Sequence, residues 1–106
     1  MPVPPDYIRS AAKKALKDRE DLPPSRRAGT LVGLRRANQL ASGDDVSYDV
    51  LKRMRSFIAR HRGNYDRAKA KDLDNKTSKV IQAMNLWGGI RAFAWATKEL
   101  KKANKI

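Results

Sequence analysis

The sequence predicts an all-α protein: a compact bundle of four to five short helices forming a single domain, residues 1–106, around a central helical hairpin. Three observations carry that prediction. Apolar residues recur at i, i+3 or i+4, and i+7 in several separate stretches, the spacing of one helix face. The breaks between those stretches hold prolines, glycines and hydroxyl or acidic residues, which are helix stop and start signals. Nowhere do apolar and polar residues alternate as in a half-buried strand, and no repeat of solenoid length occurs. A chain of 106 residues leaves room for one small core.

Residues 1–5 hold three prolines and form an extended segment. A first helix is expected from about Pro5 to Arg19, because proline and an acidic residue both suit the first turn. Ile8, Ala11, Ala12, Ala15 and Leu16 share its apolar face. That stripe is narrow and alanine-rich, so the helix packs either closely or weakly, and Arg9, Lys13 and Lys17 make a basic row beside it. Asp21 to Ser25 (DLPPS) ends this helix. Thr30 is a suitable N-cap for a second, with Leu31, Leu34, Ala37, Asn38 and Ala41 on one face and Arg35, Arg36 and Gln39 turned away. Ser42-Gly43 is a stop signal.

Ser47 is the expected cap of a third helix, Tyr48 to Arg62, with Asp44 and Asp45 near its positive end. Its stripe is the strongest in the chain: Val50, Leu51, Met54, Phe57, Ile58 and His61. Lys52, Arg53, Arg55, Arg60 and Arg62 are placed on the other side. Gly63-Asn64 should end it, leaving residues 64–79 as a polar, mobile connection. Thr77 or Asn75 then caps a fourth helix carrying Val80, Ile81, Met84 and Trp87. Gly88-Gly89 breaks the path. A fifth helix, about Gly89 to Lys102, offers Ile90, Phe93, Ala94, Thr97 and Leu100 to the core. The expected core comprises Leu34, Leu40, Val50, Met54, Phe57, Ile58, Ile81, Met84, Trp87, Phe93 and Leu100.

The charge balance speaks to function. There are 24 Lys plus Arg against 11 Asp plus Glu, a formal net charge of +13. On so small a chain that excess attracts polyanions, so nucleic acid is the expected partner, DNA before RNA. The competing readings are a ribosome-like or virion-like basic protein, or simply a soluble surface. The candidate contacts are Arg35, Arg36, Lys52, Arg53, Arg55, Arg60 and Arg62 from the Leu31 to His61 doublet, joined by Arg9, Lys13 and Lys17. Guanidinium groups suit this role because their planar donors engage two phosphate oxygens at once. Neutralising six to eight phosphates would give a log–log salt slope of about −5 to −7.

The doublet invites comparison with a helix-turn-helix, but its Ser42 to Val46 turn is longer than that motif uses, and a generic phosphate-facing hairpin fits better. Trp95 falls off the Ile90-Phe93-Ala94-Thr97 face, near Arg91, Lys98 and Lys102. It is a stacking candidate, or else a ring covered by the N-terminal prolines. Tyr65, beside Arg67, is a weaker candidate of the same kind.

No enzyme is expected, and neither a metal nor a cofactor. The chain has no cysteine and one histidine, and His61 lacks a serine or carboxylate at a catalytic spacing. The six glycines form no phosphate-binding loop. No apolar run approaches the roughly 18–20 residues of a membrane span, and the opening MPVPPDYIRS is not a secretion signal.

The stretch GLRRANQLASGDDVSYDVLKRMRSFIARH, followed after a lysine-rich gap by NLWGGIRAFAWA, resembles a family of small basic helical proteins and domains encoded by tailed bacteriophages. The resemblance covers about Gly29 to Thr97. It runs through Arg35 to Leu40, Val46-Ser47, Arg53-Met54, Phe57, Arg60-His61, Leu86 to Gly89 and Trp95-Ala96. Ile90-Arg91 departs from the pattern, which carries an acidic residue and alanine after the glycines. The resemblance implies a phage origin and adds no catalytic residue. The expectation is therefore a small phage-encoded, non-catalytic nucleic-acid-binding protein in the host cytoplasm or virion, neither secreted nor membrane-bound. The alternatives are a virion or assembly protein, or an effector that binds a host protein.

Overall fold

The computed structural model describes residues 2–106 and contains five α-helices and no strand among them. These are α1 (Asp6–Glu20), α2 (Leu31–Ser42), α3 (Tyr48–Ala70), α4 (Lys79–Leu86) and α5 (Ala92–Lys102), with a 3-10 turn at Pro24–Arg26. Of the extended segment expected at 1–5, Met1 lies outside the described residues. The all-α class stands as predicted.

Helix starts follow local chemistry. Thr30 Oγ1 accepts from the Gly33 N–H at 3.2 Å, and Ser47 Oγ from the Val50 N–H at 3.1 Å. Both caps fall where the sequence placed them, as does the stop at Gly43, which takes a left-handed φ of 77°. The fourth helix differs by one position. Ser78 caps it, its Oγ accepting from the Ile81 N–H at 3.2 Å. Thr77 is instead bound into a turn by the Asp74 carboxylate, which accepts from the Thr77 N–H and hydroxyl.

The largest difference lies in α3, which runs through Gly63-Asn64 for a further two turns. A glycine inside a helix costs about 1 kcal/mol, and burial downstream offsets it: Ala68 is buried and Tyr65 packs on the core cluster. The true stop is Asp72, at φ 57°, after which the Leu73 N–H closes back on the Ala68 carbonyl at 3.2 Å. The 64–79 stretch is thus part helix and part hydrogen-bonded turn, and Tyr65 is a packing residue.

Pairing of the helices differs from the expected hairpin. α1 packs mainly on α2 and α4, and α3 on α5 and α4, so α4 joins two helix pairs. α2 and α3 follow each other in sequence but splay apart. The alanine stripe of α1 packs closely: Ala12 and Ala15 are fully buried, as is Ala37 of α2. Ile8, Leu40, Leu51, Met54, Ile58, Met84 and Leu100 fill the interior. Leu34, Val50, Phe57 and Phe93, expected there, are only half-buried.

α5 is rotated from its expected setting. It begins at Ala92, after the turn at Gly88-Gly89, and buries Ala92, Trp95, Ala96 and Leu100, leaving Ala94 exposed. An aromatic ring carries more apolar area than alanine or threonine, so the helix turns toward the setting that covers Trp95.

A buried polar chain ties the loops to this core. Gln82, fully buried, accepts from the Ala28 N–H at 2.7 Å and donates to the Asn75 carbonyl at 2.9 Å. Asn75 Nδ2 donates to Asp18 at 3.0 Å, and Lys14 Nζ to the same oxygen at 3.1 Å. Burial alone would raise the Asp18 pKa, but the Asn75 and Lys14 hydrogen bonds and the nearby lysine charges outweigh it and hold it below its ordinary value. Asp74 is lowered too, by the Thr77 and Lys76 contacts. A depressed folded-state pKa means stability present above the unfolded carboxylate value and lost as pH falls through the folded one. Thermal melts from pH 6 to pH 2 should therefore show the gap between the parent and Asp18→Asn closing below about pH 4. A gap that stays constant through that range would remove Asp18 as its source.

Candidate nucleic-acid interface

The cations expected on one face of α3 occupy two flanks of the helix. Arg53 and Arg60 lie seven residues apart, hence on one ridge. Together with Lys52, Ser56 and Phe57, they border a shallow groove closed by Val32 of α2 and by Trp87. Lys52, Arg53 and Arg60 are exposed, and none has a hydrogen-bond or ion-pair partner among the described residues. Arg55 and Arg62 point elsewhere. Arg55 Nε donates to Thr97 Oγ1 at 2.8 Å and its guanidinium lies 5.1 Å from the Phe93 ring centre, so it clamps α5 to α3. Arg62 pairs with Asp66 at 3.9 Å.

The groove exists because α2 and α3 splay around Trp87. Phe57 stacks on that ring, with centroids 4.9 Å apart and planes 15° off parallel. On the α2 side Gly33 lies beside the indole, where a Cβ would sit in ordinary van der Waals contact with Trp87 Nε1 at 3.5 Å. Arg36 closes the other edge, its guanidinium 5.6 Å from the Trp87 ring centre and hydrogen-bonded to Gln39 Oε1 at 2.7 Å. Its Nε is buried without a hydrogen-bond partner. Burial, and then the charge of Arg53, lower the Arg36 pKa. Two like charges in a partly dry setting repel, and an anion between them relieves both.

The remaining candidates divide. Arg35 is exposed on α2 next to this edge. Arg9 sits against Gly43, where a Cβ would come within 2.9 Å of its Nε, and faces Asp6 at 3.6 Å. Lys13 and Lys17 belong to a separate patch on α1, beside Lys14, Lys76, Asp18 and Asp21. Trp95 is 7% exposed and part of the core, so its ring offers no face for stacking. His61 packs on Phe57, with ring centroids 4.4 Å apart.

One residue was missed. Arg67 continues the Arg53 and Arg60 ridge another seven residues along, where its guanidinium bonds Asn64 Oδ1. Its membership depends on α3 passing Gly63, which the glycine argued against. The 23 residues of α3 run about 34 Å, so the three arginines are spaced about 10 Å apart along it.

No family model, curated protein or solved structure matches this chain. Fold and surface together define a small all-α bundle with a cation-edged groove between splayed helices, and no helix among the described residues is long and apolar enough to cross a membrane.

Proposed function

We propose that this is a non-catalytic nucleic-acid-binding protein that holds DNA by its phosphates along the α2–α3 groove and the α3 ridge. A phage origin is part of the proposal and is supported by the sequence resemblance alone. The observation that carries the reading is a groove lined by Lys52, Arg53 and Arg60 with no carboxylate among its lining residues, and with the Arg36 guanidinium over the Trp87 ring that also lines it. Some cations elsewhere on the surface pair with Asp or Glu, as at Lys76–Asp21 and Lys102–Glu99. A polyanion in this groove meets cations with no lining carboxylate to offset them.

Phosphate contact through about five such groups gives a log–log salt slope of about −4 to −5. Changing Arg35, Lys52, Arg53 and Arg60 together to Gln should leave the fold intact, since all four are exposed. In a mobility-shift titration at 0.15 M salt the DNA affinity should drop roughly 10²- to 10³-fold, with the slope shallower by about 3.6. Replacing Arg55 and Arg62 instead should cost far less affinity. A folded quadruple variant that binds DNA as tightly as the parent overturns the proposal.

A further inference from the structure

On the other side of the Phe57–Trp87 stack lies a second groove, of about 440 Å³, between the α2 start, α3 and α4. Its walls are apolar: Phe57, Val80, Ala83, Leu86 and Trp87. Lys79 stands at its rim with His61, the Arg27 guanidinium beside it is hydrogen-bonded to the Arg19, Leu22 and Glu20 carbonyls, and none of the lining residues is a carboxylate. Leu31 and Val32, the first two residues of α2, are 66% and 45% exposed, and Val32 lines the neighbouring cationic groove. Large aliphatic groups left in water at a helix start beside an apolar cleft mark a binding surface, not a solvated loop.

We infer that this second groove docks an acidic segment of a partner protein, an amphipathic helix that sets aliphatic or aromatic side chains against Val80, Ala83 and Leu86. Charge complementarity selects the occupant: a segment inserting here meets the Lys79 ammonium at the rim, with the Arg27 charge behind it and no carboxylate on the walls, so carboxylates flanking its apolar anchors are favoured and cations are rejected. A nucleobase fits less well. Stacking needs an open aromatic face, whereas Phe57 and Trp87 face each other and Trp87 is 8% exposed. The walls that remain are aliphatic. The inference stands apart from the DNA reading, because its contacts are apolar and lie on α4.

Random 16-residue peptides displayed against the full-length protein test it. The enriched sequences should be net acidic, with two or three large apolar residues at i, i+3 or i+4, and i+7. The double variant Val80→Gln, Ala83→Gln changes no charge and replaces two half-buried side chains on α4 with good helix formers. It should keep its circular dichroism and its DNA affinity while binding the selected peptides at least 10-fold more weakly in fluorescence polarisation. Lys79→Glu should weaken them several-fold, less so at high salt. The quadruple Gln variant of the cationic groove should still bind them, which separates failure of this inference from failure of the DNA reading. Selected peptides without acidic bias, or peptides that bind the double variant as tightly as the parent, overturn the inference. So does an oligothymidylate probe that shifts the amide signals of Val80 and Ala83 while the peptides do not.

Discussion

Alanine at position 88 should lower the unfolding free energy by about 2–5 kcal/mol, a large share of the stability of a domain this size. Two effects add. Gly88 has φ 101°, a conformation that side-chain-bearing residues rarely adopt. A Cβ there would also lie 2.9 Å from Ile8 Cγ2, 3.3 Å from the Ala92 Cβ and 3.4 Å from Leu40 Cδ1. Ile8 and Leu40 are fully buried and cannot swing aside. Three helices meet at this point, so relief at one contact tightens another. Chemical denaturation of Gly88→Ala measures the loss. Gly63→Ala is the control: Gly63 lies within α3 with only the Arg67 guanidinium, at 3.8 Å, near its absent Cβ. The control should gain about 0.5–1 kcal/mol.

Gln82→Leu should be comparably damaging, by about 2–5 kcal/mol, although it puts an apolar side chain in a buried position. The reason is the pair of backbone groups that Gln82 satisfies. With leucine there, the Ala28 N–H and the Asn75 carbonyl both lose their partner away from water. Each orphan costs about 1–3 kcal/mol. Hydrogen exchange distinguishes this from simple misfit: the Ala28 amide should lose its protection ahead of the amides of α3 and α5. If Ala28 stays protected, the hydrogen bond is not what holds the 28–30 loop. That loop lines the apolar groove, so peptide binding should weaken in the same variant.

Much of this fold was legible because helix identity and helix ends depend on residues three or four positions apart. Thr30, Ser47 and Gly43 act through hydrogen bonds and backbone angles within one turn, and the Leu51, Met54 and Ile58 stripe needs only helical spacing. Gln82 carried no such signal, since nothing local tells a polar side chain that two distant backbone groups will need it. Gly63 carried a misleading one. Its local cost is real, and burial of Ala68 and Tyr65 offsets it.

The candidate site was legible in composition and not in arrangement. The sequence by itself determined an all-α bundle, the Thr30 and Ser47 caps, and a surplus of arginine on α2 and α3. It could not tell Arg53 and Arg60 from Arg55 and Arg62, because a broad polar arc contains two flanks that only neighbouring helices distinguish. α5 claims Arg55 through Thr97 and Phe93, whereas Arg53 lines the groove with Trp87, over whose ring Arg36 lies. The burial of Trp95 was likewise settled by which way α5 turns. Local spacing fixes what each helix is, whereas the partner it packs against fixes which of its side chains are left for function.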